Sequence, residues 1–100
     1  MTLKQTFKEY LELELPIGGG DGSSAEEAIV INDPSCDIHE LQSEVMENYY
    51  AIKEYPWKLL MRRLDRIEGK PVDVVKAGYI KNGNTYVQDW YFDLTGLKLF

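Results

Sequence analysis

Leu3, Phe7, Tyr10 and Leu11 recur at helical spacing with charged residues between them, and Glu14 continues the period, so residues 2–13 are predicted as an amphipathic helix. A competing period overlaps its end. Leu11, Leu13, Leu15 and Ile17 alternate with Glu12 and Glu14, the spacing of a strand, which predicts an extended segment ahead of Pro16. Residues 15–25 contain "PIGGGDGSS" and read as a glycine-rich loop. The β-branched run at 28–31, closed by Asn32, Asp33 and Pro34, predicts a buried strand over 26–32. Asp37 and Glu40 stand three apart in the manner of a capping box, with Cys36 and Leu41 placed as a hydrophobic staple. Ile38, Leu41, Val45, Tyr49 and Ile52 then form the stripe of a helix over 37–54, which Pro56 stops.

The stretch "PWKLLMRRLDRIEGKP" at 56–71 supports two elements. Trp57, Leu60, Met61, Leu64 and Ile67 share one helical face between Pro56 and Gly69, so pattern alone favours a helix; the rival is a strand that turns at Glu68-Gly69. Beyond it, Asn82-Gly83 is a strong hairpin signal joining 72–81 to 84–93. Two motifs, "GDGSSAEEAIVI" at 20–31 and "GKPVDVV…YFDLTGL" at 69–75 and 91–97, together resemble a family of small uncharacterised bacterial proteins. In that family a Gly-Asp-Gly-Ser-Ser stretch leads an acidic residue and an Ile/Val strand. A helix, a Trp-led strand, a Gly-Lys turn and a closing Tyr-Phe-Asp segment come after it. The resemblance covers residues 18–97 and implies that 57–67 is a strand paired with 71–80. The expected fold is therefore α+β: an amino-terminal helix, then β-α-β-β-β, with an antiparallel carboxy-terminal meander packed on the central helix. The resemblance brings no activity with it. It brings forward Asp21, Gly22, Ser23, Ser24, Glu26, Trp57, Asp73, Tyr91, Phe92 and Asp93 as positions of interest.

Charge adds an asymmetry that the pattern does not show. Residues 1–55 hold three lysines against twelve acids, a net charge of −9, whereas residues 56–100 hold eight basic residues against five acids, a net charge of +3. The total of −6 repels a phosphate backbone, so nucleic acid is not an expected partner. One hundred residues suit a single domain, and the lone Cys36 excludes an intramolecular disulfide. Acids interrupt the amino-terminal segment where a signal peptide needs an apolar core, and no apolar run reaches membrane-spanning length. The expectation is a soluble, cytoplasmic protein with no membrane partner.

Candidate chemistry is sparse. A phosphate loop needs inward N–H groups and usually a nearby Lys or Arg, but no basic residue except His39 lies between Lys8 and Lys53, and Asp21 sits inside the loop. A turn stabilised by Asp and Ser side chains is the better expectation. Cys36 and His39 have metal-ligand spacing without a second pair. A Ser-His-Asp set would have to join Ser23 or Ser24 to His39, and Asp89 with Asp93 share a strand face as ordinary neighbours. No catalytic residue, metal ligand or cofactor is assigned. The ligand- or partner-binding candidates are Asp21, Ser23, Ser24, Trp90, Tyr91 and Asp93.

Aromatic residues gather in the second half, where Tyr and Trp beside Arg and acids match the composition of binding hot spots. The leading expectation is a non-enzymatic protein-interaction module, an inhibitor or immunity-type partner of a basic protein. The alternative is a small enzyme or ligand binder that uses the 20–24 loop near Asp93. A nucleic-acid mimic is a third reading, opposed by the basic second half. Exposed sheet edges offer a route to a homodimer.

Overall fold

The structure is a computed structural model that describes residues 2–31, 33, 35 and 37–97. Helix α1 spans Leu3–Leu11. Thr2 caps it reciprocally with Gln5: the Thr2 hydroxyl accepts from the Gln5 N–H at 3.2 Å, and Gln5 Oε1 accepts from the Thr2 N–H at 2.8 Å. Glu12 ends the helix in the left-handed region at φ 52°. The helix is therefore shorter than the predicted 2–13, and the alternating pattern governs residues 13–17. Leu15 and Ile17 are buried on that alternation, and Leu13 packs half-buried beside them.

Two short strands replace part of the expected loop and part of the expected strand. Strand β1, Ile17–Gly19, lies inside the segment read as a glycine-rich loop and pairs antiparallel with β2, Ile29–Ile31. Glycine makes the close approach feasible. Gly19 sits at φ 75°, and a Cβ there would collide with the Ala28 carbonyl. The predicted strand over 26–32 shrinks because residues 26–28 serve the turn: the Gly22 N–H donates to the Glu27 carbonyl at 2.6 Å and the Gly20 N–H to the Ala28 carbonyl at 3.1 Å. Asn32 lies outside the described residues.

Helix α2 spans Ile38–Lys53. The Asp37 carboxylate accepts from the Glu40 N–H at 3.1 Å, so the predicted cap is present, while the Cys36 half of the predicted staple lies outside the described residues. Glu54 stops the helix at φ 61°, ahead of Pro56. The predicted stripe faces inward, with Leu41 and Val45 buried and Ile38, Tyr49 and Ile52 half-buried; Gln42, Met46 and Tyr50 widen it.

The ambiguous stretch is a strand. Strands β3, Trp57–Ile67, β4, Lys70–Lys81, and β5, Asn84–Asp93, form the antiparallel meander. Turn chemistry explains why helical periodicity loses. Glu68 and Gly69 lie at φ 51° and 78°, and Asn82 and Gly83 at 52° and 78°, so each hairpin closes on two residues at positive φ, the pattern of a type I′ turn. The sheet order is β1-β2-β5-β4-β3, with β2 and β5 parallel and every other pair antiparallel.

Both helices cover one face of this sheet. Ile17, Ile29, Ile31, Val75, Ala77, Trp90 and Phe92 pack there against Leu3, Phe7, Leu41, Val45, Met46 and Tyr50. Val30, Val72, Val74, Tyr91 and Asp93 point to the other face by strand alternation. Among the described residues, no helix is long and apolar enough to cross a membrane.

Gly22 and Gly18 test the close-packed loop. Gly22 sits at φ 80°, and a Cβ there would lie 2.9 Å from Ile29 Cδ1 and 3.2 Å from Trp90 Cε3, whereas Gly18 has nothing within 4 Å. Gly22→Ala is expected to cost about 1–3 kcal/mol in urea unfolding. Gly18→Ala should be neutral or stabilise by up to ~1 kcal/mol. Equal effects at both positions would show that the loop does not pack on Trp90.

Candidate functional site

The glycine-rich loop spends its polar groups internally. Asp21 Oδ1 accepts from the Ser23 N–H at 3.0 Å, and Ser24 Oγ accepts from the Glu27 N–H at 3.2 Å. The Ser23 hydroxyl and backbone N–H hold the Asp21 carboxyl below its usual range. The Gly20 and Gly22 N–H groups bond the facing turn, and the Gly22 carbonyl accepts from the Tyr91 N–H at 2.9 Å. These are the donors an anion would need. The loop is a stitched turn along β5.

The six candidate residues do not converge. Asp21 lies in a groove of about 490 Å³ with Thr6, Tyr10, Tyr49 and Lys53, between α1 and α2. Asp93 lines a different groove, of about 570 Å³, with Gly20, Glu26, Glu27, Lys70 and Val72. Its Oδ1 anchors the chain after β5, accepting from the Thr95 N–H at 2.8 Å and from the Thr95 hydroxyl. Ser23 is exposed and Ser24 half-buried in the turn. Tyr91 is half-buried on the sheet face away from the helices. Trp90 is a core residue, 1% exposed. Of the other positions brought forward by resemblance, Gly22 and Phe92 are buried, Trp57 is half-buried and Glu26 is exposed.

The metal and Ser-His-Asp readings do not come together among the described residues. No group of three or more His, Cys, Asp and Glu side chains is arranged to hold a metal ion, and the Cys36 half of the predicted pair lies outside those residues. His39 is exposed on the first turn of α2, and no hydrogen bond joins it to Ser23 or Ser24.

The aromatic residues build an internal stack instead of an open surface. The Tyr50 ring stacks on Trp57 at 5.5 Å and on Tyr79 at 5.3 Å, and meets Trp90 edge-on at 5.9 Å. Its hydroxyl accepts from Trp90 Nε1 at 3.0 Å and donates to Gln88 Oε1 at 2.9 Å. Tyr79 extends the stack to Tyr55 at 5.4 Å and to Tyr86 at 5.5 Å, and the stack runs out to solvent at exposed Tyr86. Lys53 and Lys81 sit over Tyr49 and Tyr55 at 5.8 and 5.9 Å.

Two exposed features remain. Glu40, Glu44 and Glu47 succeed one another along the outer side of α2 at helical spacing, and Glu54 follows at its C-cap, all exposed. The three ion pairs among the described residues are Lys8–Glu14 at 2.9 Å, Arg62–Asp73 at 3.9 Å and Arg63–Asp65 at 3.8 Å, so none links the acidic first half to the basic second half. Among the described residues no ion pair meets the glutamates of α2. The second feature is β3, an edge strand that carries Lys58, Arg62, Arg63 and Arg66 and exposes Leu59, Leu60, Met61 and Leu64. Sequence reasoning missed this because Leu60, Met61 and Leu64 fit a helical stripe that would have been buried. Arg62 alone turns inward, toward Asp73, which is 4% exposed and accepts from Gln42 Nε2 at 2.7 Å. No family model, curated protein or solved structure matches this chain.

Burial pushes the Tyr50 phenol up from 10.0 to about 12. A raised folded value means that the native state keeps the proton longer than the unfolded chain, so this stability is complete below pH ~10 and is lost as pH rises through ~12. Phenolate absorbance should show a late-titrating tyrosine that disappears in Tyr50→Phe. That variant leaves Trp90 Nε1 and Gln88 without their partner and should lose about 1–3 kcal/mol at neutral pH. Absence of a late tyrosine would contradict the buried hydroxyl.

Proposed function

We propose that this protein is a non-enzymatic interaction module whose α2 glutamates dock on a basic protein. The observation that carries the reading is the row of Glu40, Glu44, Glu47 and Glu54, which no ion pair meets among the described residues. Here the basic residues are concentrated on the second half of the chain, and their ion pairs stay there. Each exposed pair gained on binding is worth only about 0.2–1 kcal/mol, so the row acts on encounter rate and partner choice more than on affinity. Such a domain works by covering a basic site, which is the action of an inhibitor or immunity-type partner. Asp21 and Asp93 open onto different grooves, which favours this reading over a single centre built from both.

The test is affinity capture from the cell of origin at low salt, run in parallel with a Glu40→Gln, Glu44→Gln and Glu47→Gln triple variant. The expected result is one stoichiometric basic protein that the wild type retains, that elutes as ionic strength shortens the screening length, and that the variant loses. Retention by both proteins, or by neither, would overturn the reading.

A further inference from the structure

The longest free edge of the sheet is β3, eleven residues against three in β1 at the opposite edge. Which of its backbone groups are free is set by the turn. A two-residue hairpin makes its flanking residues, Ile67 and Lys70, a hydrogen-bonded pair, and the antiparallel alternation then runs back along the strand. Asp65, Arg63 and Met61 spend their N–H and C=O groups on β4, while Arg66, Leu64 and Arg62 direct theirs outward; the Arg66 N–H is held by the Asp65 carboxylate of its own strand at 2.8 Å, a bond that pairing of this edge exchanges for one to the facing strand. The placement of Pro71 agrees, since it stands opposite Arg66, where no inward N–H is required.

We propose that this edge pairs with the same edge of a second copy, antiparallel about a two-fold axis at Leu64. Symmetric pairings that bring the outward groups together can centre on Arg63, Leu64 or Asp65. Centres further along run into the bulge between Leu59 and Met61 or into the Glu68-Gly69 turn. A centre at Arg63 sets that arginine against its own copy, and a centre at Asp65 does the same with a carboxylate; like charges directly opposite are unfavourable. A centre at Leu64 sets Arg63 opposite Asp65 of the second copy, twice by symmetry. It also sets Leu64 opposite Leu64 and Met61 opposite Ile67. Leu64 and Met61 are 55% and 49% exposed in the single chain, so this pairing covers apolar surface that the fold leaves open. Arg62 falls opposite Arg66, but Arg62 is turned toward Asp73 at 3.9 Å and Arg66 donates to the Gly69 carbonyl at 3.1 Å, so neither guanidinium points across the seam. The two five-stranded sheets become one.

The experiment is a charge swap read by sedimentation equilibrium. Arg63 and Asp65 are 51% and 48% exposed, so Arg63→Asp, Asp65→Arg and the double variant should fold, which circular dichroism checks. The wild type is expected to dimerise at concentrations on the order of 100 µM or below. Each single variant places two like-charged pairs across the seam and should weaken the dimer by about tenfold or more. The double variant restores opposite charges and should return to within about threefold of the wild type. A wild type that stays monomeric overturns the proposal. So does a dimer that ignores the single variants or is not rescued by the double one, because that dimer uses another surface or register. The acidic row of α2 plays no part in this test, so either proposal can fail without the other.

Discussion

Tyr50 is the joint on which the arrangement of α2 over the meander depends. One side chain of α2 reaches all three meander strands: it stacks on Trp57 of β3 and Tyr79 of β4, and meets Trp90 of β5 through both ring and hydroxyl. Volume alone does not explain the choice of tyrosine. A leucine or phenylalanine would fill much of the space, but Trp90 Nε1 and Gln88 Oε1 need one group that can both accept and donate, and an unpaired buried donor is costly. Eight residues earlier on the same helix, the amide of fully buried Gln42 donates to Asp73. The helix is thus fixed to the sheet by three hydrogen bonds from two side chains set in an apolar surface, which specify its position more narrowly than Val45 and Met46 would by packing alone.

A single helical layer over a five-stranded sheet leaves unfinished surfaces. β2 and β5 lie in the middle under the helices and are buried at Ile29, Ile31, Trp90 and Phe92. β3 lies beyond that cover, and apart from half-buried Trp57, Arg62 and Ile67 its residues are exposed. The same strand that completes the hairpin therefore keeps one long edge unpaired. Its arginines and its bulge moderate this exposed edge without abolishing it.

Much of the architecture was legible in residues whose physics is local. Asp37 with Glu40 marked the start of α2, Pro56 its limit, and Asn82-Gly83 the last hairpin, because caps and turns depend on a few neighbouring atoms. Where two periods overlapped, the sequence was ambiguous. Residues 57–67 satisfy a helical stripe, yet Glu68-Gly69 and pairing with β4 decide for a strand, a tertiary outcome that periodicity does not contain. β1 was hidden for the opposite reason. Gly18 and Gly19 offer no strand propensity, and the strand exists because the bare backbone of Gly19 can lie against Ala28 and Val30. The candidate site was less legible. Trp90 and Tyr91, adjacent on β5, necessarily face opposite sides of the sheet, but nothing in the sequence showed that Asp21 and Asp93 would open onto different grooves.

The charge asymmetry of the sequence survives folding because the fold is segregated. In an alternating α/β chain, helices and strands from both halves would interleave and their charges would meet. Here the first half supplies both helices and two short strands, and the second supplies the meander as a unit. Ion pairs accordingly close within each half: Lys8 with Glu14 in the first, Arg62 and Arg63 with Asp73 and Asp65 in the second. Topology, more than charge number, is what keeps the glutamates of α2 out of these ion pairs, and it keeps them on a different layer from the arginines of β3. A protein of this size thereby presents two chemically distinct surfaces, an acidic helix and a basic, apolar strand edge, with the Tyr50 joint holding the layers between them together.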